Sequence, residues 1–444
     1  MKIILPDEVK NIIGQLESHG FEAYIVGGCV RDALLGRNPE DWDITSNALP
    51  KDIKRIFPVT IDTGIAHGTV TVRRNKKNYE VTTYRVDGEY IDSRHPQNVT
   101  FVRNLKEDLR RRDFTINAMA YNDRVGVVDK FSGLSDLKAK VIRCVEDPYR
   151  RFSEDALRML RAVRFLAQLD FKLEDKTREA IASLAGNLSR ISAERICAEF
   201  IKIITGNHPE AVLEIYNLHL TKAFFPEWDE MMLTPQNTVH HKTNVGSHSI
   251  YVMQNVNNTK KMRLLALLHD VGKPLCRKVD AKGHDHFAGH PQVGAEIAKD
   301  ILERLKLDND TIRYVTRMVR FHDDRPPISK RNVRRLISRI GEDLFPDMLE
   351  FRLGDIMGQS EYKREEKLLE IDRLRKYYEE IIQNNYCVSL KNLAITGNDI
   401  IKLGQNPGPR IGEILSQALE YVIDEPERNN REVLIKFAKE RVLV

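Results

Sequence analysis

Residues 27–44, GGCVRDALLGRNPEDWDI, constrain this chain more than any other stretch. They follow FEAYIV (21–26), a β-branched and aromatic run that reads as a strand broken by Gly27 and Gly28. Asp41 and Asp43 are separated by Trp42 alone. On a strand, positions i and i+2 face the same side, so the two carboxylates converge while the indole turns away. Paired carboxylates are the hard oxygen ligands that Mg²⁺ takes, with positions left for water and substrate phosphates. Two ions held this way can activate a hydroxyl and neutralise a phosphate leaving group. The glycine pair sits at a strand-to-helix turn, where backbone N–H groups can approach a polyphosphate beside a helix N-terminus. Arg31, on that helix, supplies a fixed charge. A D-x-D alone is mostly a surface turn; Arg31-Asp32 and Leu34-Leu35-Gly36 at fixed offsets give this one weight.

The flanking residues set the domain type. TVTVR (69–73) and YEVTTY (79–84) alternate like antiparallel strands around the charged turn RNKKN, and a helix from Leu49 to Phe57 opens on Pro50. An α+β domain on a small sheet therefore runs to about residue 145. From about Pro148 the apolar residues recur at helical spacing, as in DALRMLRAVRFLAQL, and the rest of the chain keeps that period. At 444 residues the chain is too long for one core, and two to four domains are expected. The boundaries fall at 1–145, 146–234, a histidine-rich 235–360 and a helical 361–444.

Composition narrows the class. Hydrophobic residues make up 41% and charged residues 30%, which suits a soluble globular protein. No apolar run reaches the length a bilayer needs, and MKIILPDEVK lacks the pattern of a signal peptide. Five scattered cysteines without C-x-x-C pairing point to a reducing cytoplasm, with neither a disulfide framework nor a thiolate zinc site. The net charge of +5 is modest, but Arg103, Lys106, Arg110, Arg111 and Arg112 crowd one stretch and Lys330, Arg331, Arg334, Arg335 and Arg339 another. Such clusters suit a polyphosphate or an RNA backbone, or else a solvated helix face.

Further motifs follow in order: HGTV (67–70), YEVTTYR (79–85), RRDFTINAMA (111–120) and EDALRMLRAVRF (154–165). Glu80 lies on a strand that can run beside the aspartates, as a third carboxylate or as a solvent-facing residue. Arg111 and Arg112 make plausible phosphate clamps. Asp155 and Arg158, three apart, share a helical face, either as an ordinary ion pair or as an acceptor and a fork of donors that read base edges. Together the motifs resemble the DNA polymerase β-like nucleotidyltransferases, in the branch of tRNA nucleotidyltransferases and poly(A) polymerases, and in its bacterial class (class II).

That resemblance implies an α+β head with a small mixed sheet, then an all-α neck, body and tail with an inserted metal-binding module. It implies Mg²⁺ on Asp41 and Asp43, with Glu80 as the third acid. Gly27, Gly28, Arg31, Asp32, Arg111, Arg112, Asp113 and Asn117 would surround the nucleotide. Glu154, Asp155 and Arg158 would select C and then A, with Arg161 and Arg164 on the same segment. CTP and ATP are the implied substrates, and tRNA, gripped at its acceptor stem and elbow, the implied partner. The segment 86–99, VDGEYIDSRHPQNV, matches a loop that members need for the final A, and members adding only CC are deficient in it. An enzyme that adds A alone, and a poly(A) polymerase, share the head motifs.

The histidine-rich region carries a second constellation: His248, then His269-Asp270 in LLALLHDVGKP, then His290, His322 and Asp355. Imidazoles with carboxylates suit a transition metal such as Mn, Ni, Co or Fe. The order resembles HD-domain metallophosphohydrolases. By that pattern His248, His269, Asp270 and Asp355 hold one metal, and His290 and His322 complete a second site. Histidines that merely cap or pack helices, and a degenerate domain without chemistry, are the alternatives. A stand-alone phosphohydrolase needs neither the D-x-D nor the E-D-x-x-R motif, and the chain has both. The sequence leaves the oligomeric state open.

Overall fold

The structure, a computed structural model, describes residues 2–88 and 99–442. It has two compact units, Met1–Phe224 and Phe225–Val444.

The first unit is built on a seven-stranded mixed sheet. Its strands are β1 (Ala23–Val26), β2 (Ile44–Ser46), β3 (Thr60–Gly64), β4 (Thr69–Arg74), β5 (Lys77–Thr83), β8 (Met119–Asn122) and β9 (Gly126–Asp129). The order is β3-β4-β5-β2-β1-β8-β9. Within this sheet, among the described residues, the β2–β5 pair alone is parallel, with Ile44 opposite Val81. Ile25, Ile44, Val70, Val72 and Val81 are fully buried, as the alternation of the strands requires. The expected β4–β5 hairpin is present. Its turn is Asn75-Lys76, both at positive φ (48° and 64°), the conformation of a tight hairpin whose twist matches its strands. A separate pair, β6 (Arg85–Asp87) with β7 (Val99–Phe101), brackets the segment expected to form the loop. Residues 89–98 of that segment lie outside the described residues. The helix expected from Leu49 spans Pro50–Ile56, with Pro50 at its first position.

Beyond the sheet the first unit is mostly helical, with one short parallel pair, Val141–Ile142 and Lys172–Leu173. The periodic stretch from 155 is not one helix. A helix Pro148–Glu154 ends, Asp155 takes an extended conformation (φ −142°, ψ 103°), and a new helix runs Leu157–Leu169. The break is a capping event: the Asp155 carboxylate accepts from the Leu157 backbone N–H at 3.1 Å. Leu157, Met159, Leu160, Val163 and Leu166 are buried, each contributing roughly 1.5–3 kcal/mol. A charge at Leu160 would unseat this helix.

The second unit is helical apart from one short hairpin, Lys278–Val279 with Asp285–His286. The helix Pro226–Leu233, expected with the neck, belongs to this unit. In the helix Lys260–Leu268 every residue from Met262 to Leu268 is buried, so it is a core helix that delivers His269 into the interior. Gly272 follows, where a Cβ would meet the His290 carbonyl oxygen at 2.3 Å; the close approach of the two segments requires glycine. The tail packs its own core around Ile400, Ile414, Ala418, Val422 and Leu434.

The basic run at 330–339 is partly exposed and paired with acids of its own chain. Lys330 pairs with Glu380, Arg331 and Arg335 with Asp424, and Arg339 with Asp324, at 2.5–2.9 Å. Arg334 is buried against the carbonyls of Ile423 and Asp424. Arg331, Arg334 and Arg335 of the run clasp the end of the tail helix Pro409–Asp424. All five cysteines are free, and no helix of the described residues is long and apolar enough to cross a membrane.

Candidate functional site

A cavity of about 740 Å³ in the first unit takes in Gly27, Gly28, Asp41 and Asp43 with a wall of cations. The aspartates lie just before β2 rather than within it. The Asp43 carbonyl accepts from the Val26 N–H at 3.0 Å, which fixes the pair to the edge of β1. Because Ile44 faces Val81 on β5, Glu80 stands beside Asp43 in register, although it lies outside the cavity wall. Desolvation by surrounding protein raises the Asp43 and Glu80 carboxyls above their ordinary values, and the neighbouring acids push the same way. Arg112 opposes this at Asp43. Mutual repulsion among three acids beside two central strands is what a divalent cation relieves, so the residues fit such an ion.

The cations opposite are held, not loose. Gly27, at φ 83°, is so close to Arg112 that a Cβ would lie 2.9 Å from its guanidinium. Arg31 donates to both oxygens of Asp32 at 2.8–2.9 Å and to Asn117 at 2.8 Å. Asn117 in turn donates to buried Asp113, whose other oxygen takes the Arg161 Nε at 2.8 Å. Burial alone would raise the Asp113 carboxyl, but Arg161 and Arg158 hold it well below the usual range. Burial and Arg161 push Arg164 down to about 10, with Glu199 at 3.1 Å in partial compensation.

Several residues that matter here were not read from the sequence. Phe165 offers its ring to Arg31, Arg164 and Arg161, at 5.0, 4.4 and 5.9 Å from the centroid. Fully buried Asp108 clamps Arg111 at 2.8 Å and Arg112 at 3.5 Å. Lys202 adds a cation to the wall. Only the i, i+3 and i, i+4 spacing of Asp108 to Arg111 and Arg112 was a local signal.

Arg111, Glu154, Asp155 and Arg158 also stand outside the cavity wall. The shared helical face expected for Asp155 and Arg158 does not exist, because the helix breaks at Asp155. Asp155 pairs instead with Arg195 at 2.8 Å, and Arg158 with Glu154 at 2.7 Å. Arg158 also donates to the carbonyls of Arg151 and Arg111, which ties it to the strip that holds Arg112 and Asp113.

In the second unit the histidines converge. The ring Nδ1 atoms of His269, His290 and His322 each meet a main-chain carbonyl at 2.7–2.9 Å, and that of His248 meets the Gly358 carbonyl at 3.3 Å. With each Nδ1 set against a main-chain carbonyl, the Nε2 atoms of His269, His290 and His322 face the centre, and that of His248 lies 3.1 Å from Asp355. Asp270 lies in the middle. One of its oxygens is 3.1 Å from His269 Nε2 and 3.9 Å from His248 Nε2; the other is 3.3 Å from His290 and 3.6 Å from His322. The ligand atoms form two groups, His248–His269–Asp270 and Asp270–His290–His322. Asp270 is thus common to both. Asp355 contacts His248 at 3.1 Å but also binds Arg325 and Gln359, so it flanks the first group.

Two observations fit this set to metal ions. His290 and His322 bring their Nε2 atoms to 3.2 Å, a repulsive approach of lone pairs unless a cation or proton intervenes. Buried His269 Nε2 and the Asp270 oxygen 3.1 Å from it are not aligned as a hydrogen bond, which leaves both open to an ion. The cavity beside the set, about 450 Å³, is walled by Lys273, Arg325 and Lys367 as well as His241, whose ring packs edge-on to His248.

Residues 23–143 match the Poly A polymerase head domain, and residues 170–232 match the probable RNA and SrmB-binding site of polymerase A. Residues 290–438 match tRNA nucleotidyltransferase domain 2. The CCA-adding enzyme of Enterococcus faecalis is 36% identical over 98% of this chain and 97% of its own length. This chain belongs to the CCA-adding enzyme family. A second CCA-adding enzyme, from Pediococcus pentosaceus, is 34% identical over 97% of this chain and 96% of its own. The crystal structure of the Bacillus stearothermophilus CCA-adding enzyme in complex with CTP shares 30% identity and a TM-score of 0.70, covering 99% of this chain and 98% of that one. The Thermotoga maritima CCA-adding enzyme complexed with tRNA has the same fold, at 21% identity and a TM-score of 0.57 over 99% and 100% of the two chains. Of the histidine centre, His248, His269 and Asp270 fall between the second and third matched stretches, and His290, His322 and Asp355 within the third.

Proposed function

We propose that this CCA-adding enzyme family member adds C, C and A to the 3′ end of tRNA from CTP and ATP. The observation that carries the reading is the cavity that sets Asp41 and Asp43 against Arg112, Arg161 and Arg164. In the reaction the terminal RNA hydroxyl oxygen bonds to the α-phosphorus, and the bond from that phosphorus to the β-phosphate bridging oxygen breaks. Pyrophosphate leaves and the hydroxyl proton passes to solvent. Mg²⁺ held by Asp41 and Asp43, with Glu80 beside them, supplies charge neutralisation when bound. The arginine wall holds the triphosphate in line, and Arg31 with Asp32 keeps Asn117 placed against it. Asp155 and Arg158, tethered by Arg195 and by the Arg111 carbonyl, select the base.

The parts divide as head (1–145), neck (146–234, less the helix Pro226–Leu233 that joins the second unit), histidine module (235–360) and tail (361–444), the tail gripping tRNA at its acceptor stem and elbow. Shape and backbone charge, not sequence, mark the tRNA. The free cysteines suit work in the cytoplasm. Labelled CTP and ATP, alone and together, offered to tRNA transcripts lacking CCA, CA or A, test the reading. C should enter the first two and A complete all three. Entry of ATP alone, and only after CC, would make it an A-adding enzyme; no entry with Mg²⁺ present would end the proposal.

The converging Nε2 atoms favour a second activity, phosphohydrolysis of nucleotides or RNA ends. His248, His269, Asp270, His290 and His322, with Asp355 alongside, would hold Mn, Ni, Co or Fe ions, which supply a water lowered in pKa. A water oxygen bonds to phosphorus, the ester P–O bond breaks, and the proton goes to the leaving hydroxyl. Lys367 lines the phosphate's approach, while Lys273 and Arg325 pair with Asp270 and Asp355. Phosphatase activity retained after replacing both His269 and Asp270 with alanine would sink this second reading.

A further inference from the structure

Four arginines of the head cavity already carry an acid of the chain. Arg31 pairs with Asp32, Arg112 with Asp108, Arg161 with Asp113 and Arg164 with Glu199. Two other cations of the same wall, Arg37 and Lys202, have no acid partner among the described residues. Arg37 donates to the Gln168 main-chain carbonyl at 3.2 Å, and Lys202 makes neither an ion pair nor a hydrogen bond among those residues. Both side chains are exposed.

The two stand together at one end of the cavity. Along the helix Leu157–Leu169, Arg158, Arg161, Arg164 and Gln168 follow one another turn by turn, over about 15 Å from first to last. The helix Ala193–Ile204 runs beside it in the same sense. Arg195 holds Asp155, Glu199 holds Arg164, and Gly206 lies against Ala167, where a Cβ would be 2.7 Å from the carbonyl oxygen. Lys202, between Glu199 and Gly206, is therefore level with the last turn, where Arg37 meets Gln168. Asp155 and Arg158 stand at the opposite end.

A nucleoside triphosphate with its base at Asp155 and Arg158 must lay its phosphates along this helix toward Gln168. The α-phosphorus reacts where Asp41 and Asp43 face Arg112 and Arg161, so the β- and γ-phosphates lie farther on. Arg161 and Arg164 repel each other there, which an anion beside them relieves. Charge grows on the leaving pyrophosphate as its bond breaks, and cations not already neutralised by the chain answer it best.

We infer that Lys202 and Arg37 bind the β- and γ-phosphates, the pair that departs as pyrophosphate, so that this end of the cavity tells a triphosphate from a monophosphate. The inference rests on the nucleotidyl-transfer reading above and assigns the leaving-group end of that site. A phosphodiester of the RNA end would offer the same cations a similar anion, and the test separates the two.

Arg37 also braces Gln168, so Lys202→Gln, which breaks no bond of the chain, is the deciding variant, and Arg37→Gln repeats it from the facing wall. Incorporation is measured against CTP, ATP and a tRNA transcript lacking CCA, with pyrophosphate and CMP as inhibitors. Lys202→Gln should raise KM for CTP and ATP, and the inhibition constant of pyrophosphate, about tenfold each, as the loss of one charged hydrogen bond does. KM for tRNA and inhibition by CMP, which does not reach this end, should stay as they are. A general loosening of the fold would move all of these together and overturns the assignment. So does unchanged inhibition by pyrophosphate, and a rise confined to the KM of tRNA gives the cations to the RNA instead. If the unaltered protein adds no nucleotide, the nucleotidyl-transfer reading falls by itself. Equilibrium dialysis of labelled pyrophosphate with Mg²⁺ then decides the site: binding weakened in Lys202→Gln upholds it, and no binding or equal binding overturns it.

Discussion

Asp113 and Arg161, 48 residues apart, meet in a half-buried ion pair with the Arg161 Nε 2.8 Å from the carboxylate. The pair joins the strip after the sheet's arginine run to the helix Leu157–Leu169. Asp113→Ala leaves Arg161 facing the cavity without its acid. Because Arg161 keeps about a third of its side chain exposed, the expected loss of stability is roughly 2 kcal/mol, below that of a fully enclosed pair. Urea melts of the two proteins check it.

The same pair gives a pH dependence. The folded Asp113 carboxyl lies below its unfolded value, so its contribution is fully present above the ordinary aspartate range, from about pH 5 upward. It decays as pH falls toward the depressed folded value. Stability of the unaltered protein should therefore drop more steeply below about pH 4 than that of Asp113→Asn. Parallel curves for the two would exclude the pair as a source of acid sensitivity.

Asp43→Ala should lower nucleotide addition by at least about a thousandfold while tRNA binding persists, since the change removes a metal ligand and leaves the arginine wall. Hydrolysis at the histidine centre should continue. Filter binding of tRNA beside the incorporation assay separates these outcomes.

Replacing Asp155 and Arg158 together with alanine should scramble the base added more than it raises KM for either triphosphate. Arg195→Ala should give a milder version of the same error, because Arg195 only holds Asp155. Sequencing of the added ends reads both variants. An unchanged CCA end in the double variant would remove the base-selecting role.

Phe165→Leu keeps the core apolar and removes the ring on which three guanidinium groups rest. A several-fold rise in KM for CTP and ATP alike is expected, at about 0.5–1 kcal/mol for each cation–π interaction removed. A change in kcat alone would argue against a positioning role.

Local spacing carried the first part of this site, and non-local pairing hid the rest. The D-x-D and the glycine pair sit within one strand–helix–strand segment, so their meeting was legible from order alone. Glu80 came to Asp43 through the parallel β2–β5 register, which the alternating strands suggested but could not fix. Phe165 read as one more apolar residue of a helical period, and nothing in that period tells which arginines will lie over its ring. Asp155 was misplaced because periodicity cannot see a cap: the motif keeps helical spacing across a break that its own carboxylate makes. In the histidine module the order of residues gave the members of the centre. That Asp270 stands in both groups depends on how four helices pack, and only the structure shows it.

The clasp at 330–339 changes how this protein's affinity for a polyanion should respond to salt. The slope of log affinity against log salt counts the phosphates that protein cations neutralise, because each releases a condensed counterion. Lys330, Arg331, Arg335 and Arg339 already have carboxylate counter-ions supplied by the chain, and Arg334 is buried against carbonyls. They have few counterions to release. The tRNA salt slope should then be shallower than a tally of arginines implies, and added salt should loosen this helix from the tail that it fastens.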